Sequence, residues 1–386
     1  MADRPKDSEI PEPVPRRIGV DATNLGTHRT GVGNYIAAVL GPLCALHPET
    51  RFHLYSNEVI SFPVRDNVSI RVSPRTWRGP LWQNLQLRRM LREDAIDVFW
   101  GANGLIPIPR PAAATVVTIH DLAHRFAPQT QAPLVRWNRR VFQSLSARCA
   151  DEVLAVSQAT ADDIAAVDGR PGAEVMHPLA AARFRHVAAV DFEPVLHRHG
   201  LPDGFLLSVG TLEPRKNLAA LVHAYVDRRH AGVDLPLLVL VGGSGWLNDS
   251  LVKTVAAAEA RGFIRWLGFL PSDELPALYS ACRAFVMPSL YEGFGMPLLE
   301  AQRCGAAVIH GDHGSMAEAS GGLGVVTQTG IDALARMFDQ LAAGTLPLAC
   351  RLPTAFDNDD EHAAMTLWRI LCRAHAKRTA KRASNG

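Results

Sequence analysis

The chain has 386 residues, of which 47% are hydrophobic and 20% charged, and its formal net charge is +2. This composition is typical of a globular protein, and the small net charge gives no support for a nucleic-acid partner. The length exceeds that of one average domain, so two domains of ordinary size are expected. The six scattered cysteines show neither close pairs nor metal-ligand spacing, which predicts reduced thiols in the cytoplasm.

Short apolar runs alternate with longer helical patterns along the chain, and this alternation predicts parallel sheets with covering helices. The runs lie at 17–21, 51–55, 96–99, 115–119, 153–156, 205–209, 237–241, 264–267, 284–287 and 306–309. No run approaches the ~20 apolar residues of a membrane span. The predicted fold class is therefore α/β, with two Rossmann-like domains whose parallel sheets face each other across a cleft.

The predicted domain organisation has five parts. They are a charged, proline-rich disordered leader at 1–15, an N-terminal domain at 16–185, a linker at 186–204, a second domain at 205–358, and a helix with a basic tail at 359–386. The last part has apolar residues at helical spacing, which predicts an amphipathic helix.

Two motifs in the first domain follow predicted strands. Gly31 and Gly33 open the first helix, and their amides could line the acceptor side of the cleft or touch a diphosphate, although a tight turn explains them equally well. Ile36 replaces the last glycine of a G-x-G-x-x-G motif, so dinucleotide binding is not supported. His120 and Asp121 follow the run at 115–119, where the histidine could be a general base or a structural, hydrogen-bonded residue.

The second domain places two cations after its first strand. Arg215 and Lys216 precede a helix for which Asn217 is the predicted cap, and Gly210 begins the same loop. Fixed cations there would stabilise a departing diphosphate, while the alternative is a solvated pair at a helix start. Gly243, with its neighbouring glycines, is expected to shape the nucleotide side of this domain.

The stretch SLYEGFGMPLLE at 289–300 sets Glu292 and Glu300 around a glycine-rich loop and a first-turn proline. Glycines allow close backbone approach to a ligand, and a helix start favours an anion. Two carboxylates eight positions apart can accept hydrogen bonds from different hydroxyl groups of one ligand. The alternative is an ordinary helix start with one exposed glutamate.

The stretch at 289–300, together with the motifs at 17–33, 118–122 and 208–217, resembles retaining GT-B glycosyltransferases of family four, especially bacterial mannosyltransferases. The resemblance implies that Glu292 contacts the hydroxyls of the transferred sugar and Glu300 the ribose, while His120 positions the sugar. It also assigns the donor loop, formed by Gly293, Phe294, Gly295 and Met296. It implies that neither a metal nor another cofactor is required.

The resemblance further implies transfer of a hexose from a nucleotide sugar to a saccharide or polyprenyl-linked glycan for surface polysaccharide. GDP-mannose is the favoured donor, while UDP-glucose, another UDP-sugar and dTDP-rhamnose stay open. The alternatives are a sugar phosphorylase of the same fold, a non-catalytic sugar-nucleotide or glycan binder, and a Rossmann oxidoreductase. The resemblance also implies that the final helix crosses back to the first domain, although residues 356–359 depart from the family's usual pattern before that helix. The acidic residues there are not assigned to a metal.

Basic and apolar residues alternate at 75–92 and 136–148, and the C-terminal tail adds further cations. Such composition suits contact with an anionic membrane surface, while the alternative is two packed helices with solvated arginines. The sequence therefore predicts a cytoplasmic protein that can bind the inner membrane reversibly.

Overall fold

The computed structural model describes residues 13–26, 31–73, 79–243, 249–349 and 360–384. The chain forms two compact units. The first unit contains the described residues of 1–124, 133–179 and 357–386, and the second contains those of 125–132 and 180–356.

The first unit is built on a parallel sheet of seven strands in the order β3-β2-β1-β4-β5-β6-β7. Its strands are β1 (Arg17–Asp21), β2 (Arg51–Ser56), β3 (Val68–Val72), β4 (Val98–Gly101), β5 (Ala114–Ile119), β6 (Glu152–Ala155) and β7 (Glu174–Val175). The central strands β4 and β5 are buried throughout, as expected for strands covered on both faces.

Helices cover both faces of this sheet. They are α1 (Gly31–Leu46), α2 (Gly79–Leu81), α3 (Arg88–Glu93), α4 (Ala123–Phe126), α5 (Pro133–Asn138), α6 (Ser144–Cys149) and α7 (Gln158–Asp168), with π-helical turns at Trp82–Leu87 and Arg139–Gln143. The last two residues of α4 and a 3₁₀ turn at Pro128–Thr130 belong to the second unit. In α1, Ile36, Val39, Leu40 and Leu43 repeat at helical spacing and are buried. This spacing gives the helix one apolar face toward the sheet.

The C-terminal helix, Asp360–Ala383, belongs to the first unit, where it packs on α1 and β5. The Trp368 ring stacks on the His47 ring at a centroid distance of 3.6 Å. The Arg373 guanidinium reaches the carboxylates of Glu152 at 3.0 Å and Glu174 at 2.5 Å. The final segment therefore forms a helix with buried apolar residues, and this helix belongs to the first unit.

The second unit has a six-stranded parallel sheet in the order β10-β9-β8-β11-β12-β13. Its strands are β8 (Leu206–Val209), β9 (Leu238–Val241), β10 (Ile264–Trp266), β11 (Ala284–Met287), β12 (Val308–His310) and β13 (Val325–Val326). Its helices are α8 (Ala189–His199), α9 (Leu218–His230), α10 (Asp249–Ala260), α11 (Leu275–Ala281), α12 (Met296–Arg303), α13 (Gly314–Ala319) and α14 (Ile331–Ala342), with a 3₁₀ turn at Pro214–Lys216; the C-terminal helix is α15.

The structure differs from the predicted domain limits at two places. Residues 186–204, predicted to form a linker, contain helix α8, which packs on α11 and belongs to the second unit. Phe192 and Leu196 are buried in this helix. The Pro, Arg and His residues around them are typical of a linker, so the sequence did not indicate a helix here. Residues 125–132 and 180–185, predicted within the first domain, also belong to the second unit.

Candidate active site

The predicted site residues of the second unit follow the carboxyl ends of neighbouring strands. Arg215 and Lys216 lie in the 3₁₀ turn after β8, and Gly243 follows β9. Glu292 lies in the loop between β11 and α12, and α12 starts at Met296. Since β9, β8 and β11 are neighbours in the sheet, these loops share one edge. The prediction that the motifs lie at carboxyl strand ends is confirmed.

Glu292 joins the two cations into one cluster. Its Oε2 accepts a hydrogen bond from Arg215 Nη1 at 2.5 Å, and its Oε1 accepts one from Lys216 Nζ at 2.6 Å. Burial alone would raise the pKa of Glu292, but the charges of Arg215 and Lys216 outweigh it and lower this pKa to about 2. The carboxylate is therefore ionised at neutral pH.

Further contacts fix the orientation of this cluster. Arg215 Nη2 donates to Glu213 Oε1 at 2.6 Å, and its Nη1 also donates to the Tyr291 carbonyl at 3.1 Å. The carbonyl of Glu292 accepts a hydrogen bond from the Ser315 hydroxyl at 2.7 Å. Two cations thus share two carboxylates, so the cluster has a net charge near zero in this structure.

Glycines bring two loops of this edge close together. Gly242 has φ of +143°, and a Cβ atom there would lie 2.0 Å from the Gly210 carbonyl oxygen. Its amide donates to the Gly268 carbonyl at 2.7 Å. A Cβ at Gly210 would in turn lie 3.5 Å from Lys216 Cε. The close contact between the loops after β8 and β9 therefore requires a glycine at Gly242. Gly243, the glycine predicted from the sequence to shape this region, has open space around it.

The loop before α12 has the predicted form. Gly293, Phe294 and Gly295 precede the helix, and Gly295 has φ of +110°, a backbone conformation that favours glycine. Pro297 lies in the first turn, as predicted. The positive end of the helix dipole therefore lies behind this loop, where a negative or electron-rich ligand group is favoured.

Glu300 lies one turn into α12 and has a different environment from Glu292. Burial raises its pKa to about 7, while Arg183 and Tyr279 oppose this shift. The Tyr279 hydroxyl donates to Glu300 Oε2 at 3.5 Å. The carboxyl group therefore changes its charge near neutral pH, whereas that of Glu292 does not.

One predicted helix cap is wrong. Asn217 has a left-handed backbone, with φ of 56°, and its side chain makes no capping hydrogen bond to α9. Its Nδ2 instead donates to the Thr329 carbonyl at 2.8 Å. The side chain therefore ties the cation-bearing turn to a distant loop.

Sequence reasoning missed the contribution of residues 125–132 to this unit. The Phe126 ring stacks on the Tyr291 ring at a centroid distance of 5.5 Å, and Tyr291 directly precedes Glu292. The 3₁₀ turn Pro128–Thr130 contacts the turn that carries Arg215 and Lys216. A pattern confined to one domain could not indicate this long-range contact.

In the first unit, His120 follows β5 and has a defined ring orientation. Its Nε2 lies 2.7 Å from the Ala102 carbonyl oxygen, and its ring meets that of Tyr35 edge to face at 5.2 Å. Burial lowers the pKa of His120. Because a carbonyl oxygen can only accept, the geometry favours a neutral imidazole with the proton on Nε2 and an acceptor nitrogen at Nδ1.

The other predicted site residues of the first unit are Asp121, Gly31 and Gly33, and the structure gives each a place in or beside a helix. Asp121 Oδ1 accepts a hydrogen bond from the Ala123 amide at 3.0 Å, so it caps the start of α4. Gly31 opens α1 as predicted, and Gly33 is buried within that helix. The structure thus gives Asp121 a local capping role that the sequence motif did not reveal.

A cavity of about 310 Å³ lies at the carboxyl edge of the first unit's sheet. Side-chain amides dominate its polar lining, and the amide-bearing residues are Asn24, Asn57, Gln83, Asn103 and Asn138. Asp21 Oδ1 accepts from the Thr23 hydroxyl at 2.8 Å, and burial raises the pKa of Asp21. Amides both donate and accept hydrogen bonds, so this lining suits a ligand rich in neutral hydroxyl groups.

Gln83 is the buried amide of this cavity. Its side chain is 6% exposed, and among the described residues its Nε2 has no hydrogen-bond partner. A buried donor without a partner is costly, so a ligand hydroxyl at this position would be stabilised. Nothing in the sequence motifs indicated this residue.

Among the described residues, no group of three or more His, Cys, Asp or Glu side chains could hold a metal ion. The predicted independence from metal and other cofactors stays a prediction. The acidic residues at 357–359 lie outside the described residues.

Two family models match different parts of this chain. The model described as Glycosyltransferase Family 4 matches residues 43–178, and that described as Glycosyl transferases group 1 matches residues 194–349. The chain is 34% identical to O-antigen chain mannosyltransferase B of Escherichia coli over 242 residues, which cover 61% of this chain and 62% of that relative. The alignment therefore spans less than two thirds of that relative.

Two further comparisons cover most of the chain. It is 27% identical over 371 residues to the GDP-mannose-dependent alpha-(1-6)-phosphatidylinositol monomannoside mannosyltransferase of Mycolicibacterium smegmatis, covering 88% of this chain and 91% of that protein. Sucrose-phosphate synthase from Thermosynechococcus elongatus has a similar structure, with a TM-score of 0.66 and 16% identity over 96% of this chain and 98% of that one. Because the two family models together match residues 43–178 and 194–349, the chain belongs to the glycosyltransferases of family 4, and the structural similarity shows the GT-B fold.

Proposed function

We propose that this protein is a retaining glycosyltransferase that moves a hexose from a nucleotide sugar to a saccharide or lipid-linked glycan in surface polysaccharide synthesis. The favoured donor is GDP-mannose. The cluster of Arg215, Lys216 and Glu292 beside the start of α12 carries the proposal. The names of the mannosyltransferase relatives in Escherichia coli and Mycolicibacterium smegmatis support mannose as the transferred sugar.

The charge balance of the cluster suggests how a donor would bind. A nucleotide diphosphate brings two phosphate groups to Arg215 and Lys216, which in this structure are paired with Glu292. The phosphates would take over these cations, and the released carboxylate would accept hydrogen bonds from sugar hydroxyls. Binding would thus exchange one set of ionic partners for another without leaving Glu292 as an unpaired buried charge.

The same cations serve the chemical step. When the bond from the sugar to the diphosphate breaks, negative charge accumulates on the leaving phosphate oxygen. Lys216, Arg215 and the positive end of the α12 dipole would stabilise this charge more strongly than that of the intact donor. In a retaining transfer, the acceptor hydroxyl attacks from the leaving-group side and gives its proton to a phosphate oxygen.

The nucleoside would extend along the same edge of the second unit. Glu300, with its pKa near 7, would accept hydrogen bonds from the ribose hydroxyls, and these bonds favour its ionised form. The base would lie near 267–269, where Phe269 is 78% exposed and available for stacking. Because aromatic stacking does not select one base, UDP-glucose, another UDP-sugar and dTDP-rhamnose remain alternative donors.

The first unit would bind the acceptor. Its amide-lined cavity suits a neutral saccharide, and Gln83 would donate its unpaired N–H to an acceptor hydroxyl. His120, held by the Ala102 carbonyl, would position the transferred sugar through Nδ1. The first unit would thus supply the acceptor contacts and one contact, from His120, to the transferred sugar of the donor.

We further propose a cytoplasmic location with reversible contact to the inner membrane and no metal requirement. In the described part of the chain, no helix has the length and hydropathy of a membrane span. A lipid-linked acceptor would bring the enzyme to the membrane surface.

The test is a transfer assay with GDP-mannose, UDP-glucose and dTDP-rhamnose, using lipid-linked glycan extracts and soluble oligosaccharides as acceptors, with and without a chelator. NMR of the product determines the anomeric configuration. Transfer from one donor with retained configuration and no chelator effect is expected. Inverted configuration would contradict the retaining mechanism, and absence of transfer from every donor would contradict the proposed activity.

A further inference from the structure

A short segment of the chain, residues 125–132, belongs to the second unit although the residues directly before and after it belong to the first. It is internally hydrogen-bonded, since the Thr130 hydroxyl and the Thr130 amide donate to the Ala127 carbonyl at 2.6 and 3.0 Å. Ala127 is buried. The segment thus has a defined backbone within a unit to which its neighbours along the chain do not belong.

Phe126 joins this segment to the loop that carries Glu292. Its ring is nearly parallel to that of Tyr291, with 10° between the ring planes and 5.5 Å between the centroids. Phe126 is 48% exposed, whereas Tyr291 is 2% exposed. The two rings therefore form an offset stack, and such a pair contributes stability beyond that of the apolar area it buries.

The same segment contacts a second loop of the candidate active site. Its 3₁₀ turn, Pro128–Thr130, contacts the turn Pro214–Lys216, which carries both cations of the cluster. Together with the ring of Phe126, this turn brings the segment against both loops from which the ionic cluster is built. The segment can therefore influence the position of one loop relative to the other.

Arg215 joins these two loops directly. Its carbonyl accepts a hydrogen bond from the Leu290 amide at 2.9 Å. Its Nη1 donates to the Tyr291 carbonyl at 3.1 Å and to Glu292 Oε2 at 2.5 Å. One arginine thus binds three successive residues, so a displacement of the loop before α12 would also displace the guanidinium group.

A third loop holds the same peptide from the side of α13. The ring of His313 lies 4.5 Å from that of Tyr291 between centroids, and His313 Nδ1 lies 2.8 Å from Ser315 Oγ. That hydroxyl donates its hydrogen to the Glu292 carbonyl at 2.7 Å, so His313 Nδ1 is the donor to Ser315. The backbone of Glu292 is therefore held by contacts that do not involve its carboxylate.

These backbone contacts become important when the partners of the carboxylate change. In this structure Arg215 and Lys216 bind the Glu292 carboxylate, and the phosphates of the proposed donor would take over both cations. The released carboxylate can meet the sugar hydroxyls only if its backbone stays in place, because a small misplacement is costly in catalysis. The stack of Phe126 on Tyr291 is uncharged, so the exchange of ionic partners does not remove it.

We propose that Phe126 is a positioning residue for the proposed glycosyl transfer, because its contact with the Tyr291 ring holds the peptide of Glu292 in place. This contact would persist while the donor phosphates replace the carboxylate as partners of Arg215 and Lys216. The role in transfer rests on the proposed function, whereas the restraint on the loop can be measured without any ligand. The alternative is a stack that contributes only to the overall stability of the second unit.

The first experiment is hydrogen exchange of the full chain without ligand, measured by mass spectrometry. Its probes are amides of the two loops: that of Leu290, which donates to the Arg215 carbonyl, and that of Lys216, which donates to the Glu213 carbonyl. In Phe126→Ala, both should exchange about tenfold faster, the upper end of what an aromatic pair contributes. Phe126→Tyr retains the ring and should exchange like the wild type.

The second experiment is steady-state kinetics with the nucleotide sugar that supports transfer by the wild type. In Phe126→Ala, kcat should fall about tenfold while the KM for the acceptor stays unchanged, because the loss concerns the placement of Glu292. Phe126→Tyr should restore kcat. Absence of transfer by the wild type would contradict the proposed function, whereas the exchange rates decide separately whether Phe126 holds the loop.

The matched control is Phe263→Ala, which removes a ring of the same unit directly before β10, at the amino edge of the sheet. The Phe263 ring contacts the His230 ring at 5.6 Å and the Arg229 guanidinium at 4.8 Å. This variant should lose stability without a change in kcat or in exchange at Leu290. Wild-type exchange or wild-type kcat in Phe126→Ala, or equal effects in both alanine variants, would overturn the proposal.

Discussion

At the residue scale, Glu292, in the loop before α12, and Glu300, within α12, have opposite electrostatic environments. Glu292 lies between Arg215 and Lys216, which lower its pKa to about 2, whereas burial raises the pKa of Glu300 to about 7. One carboxylate is thus permanently charged and paired, and the other can change its charge near neutral pH. This difference supports the proposed contacts of Glu292 with the sugar hydroxyls and of Glu300 with the ribose hydroxyls.

Replacing the lysine of the cluster should affect turnover most. For Lys216→Ala, we expect kcat to fall roughly 100- to 1000-fold, because a fixed charge that stabilises the leaving group is lost. Steady-state kinetics with the preferred donor measure this change. Lys253→Ala removes an exposed lysine of α10 and should leave kcat unchanged. Equal kcat values for both variants would exclude Lys216 from leaving-group stabilisation.

The raised pKa of Glu300 predicts a pH dependence of nucleotide binding. If the ionised carboxylate accepts the ribose hydrogen bonds, nucleotide affinity should rise about tenfold between pH 6 and pH 8, because the ionised fraction rises across a pKa near 7. Calorimetric titration at several pH values measures this. Glu300→Gln should remove this part of the slope and retain the part due to phosphate ionisation. Identical slopes in both proteins would disprove the assignment.

At the element scale, the carboxyl-edge loops of the second unit depend on close backbone contact. Gly242 meets the Gly210 carbonyl, and its own carbonyl accepts a hydrogen bond from the Trp266 indole at 2.9 Å. The helix start at Met296 and the turn at Pro214–Lys216 then present their groups on the same edge. Small residues in these loops therefore set the positions of the charged ones.

A pair of adjacent glycines tests this packing. Gly242→Ala places a methyl group 2.0 Å from the Gly210 carbonyl oxygen, so we expect a loss of at least 1–3 kcal/mol in the free energy of unfolding. Gly243→Ala meets no atom within 4 Å and should change the stability little. Chemical denaturation of both variants measures the difference. Equal stability of the two would contradict the close contact between the loops.

The features that could be predicted from the sequence are those that depend on residues close together along the chain. Glycines, Pro297 and the buried strands predicted both parallel sheets and the loop before α12, because these depend on local backbone and burial patterns. Contacts between distant segments could not be predicted in this way. The capping role of Asp121, the Asn217 bond to Thr329 and the stacking of Phe126 on Tyr291 all depend on which loops become neighbours.

At the scale of the whole molecule, two units carry chemically different sites. The second unit has the charged cluster, and the first has the amide-lined cavity at its carboxyl edge. The helix α15 returns to the first unit, although the sequence places it after the second. The proposed donor and acceptor contacts can therefore be tested by separate substitutions.

If donor and acceptor bind at different sites, a substitution in the amide-lined cavity should change the KM for the acceptor and leave nucleotide affinity unchanged. Gln83→Ala removes the buried amide of the acceptor cavity, so the KM for the acceptor should rise about tenfold, the value of one hydrogen bond of ~1.4 kcal/mol, with unchanged nucleotide affinity. Gln86→Ala is the control, since it changes the same residue type one turn away and outside the cavity lining. An unchanged acceptor KM in a folded Gln83→Ala protein would argue against the cavity as the acceptor site.

The central claim is that the second unit binds a nucleotide diphosphate through Arg215 and Lys216. Calorimetric titration of the wild type with GDP, UDP, dTDP and NAD tests it most directly, with Lys216→Ala titrated in parallel. The account predicts selective binding of one nucleoside diphosphate, GDP in the favoured case, and a marked loss of affinity in the variant. Binding of NAD alone, or nucleotide affinity that is the same in Lys216→Ala, would contradict it.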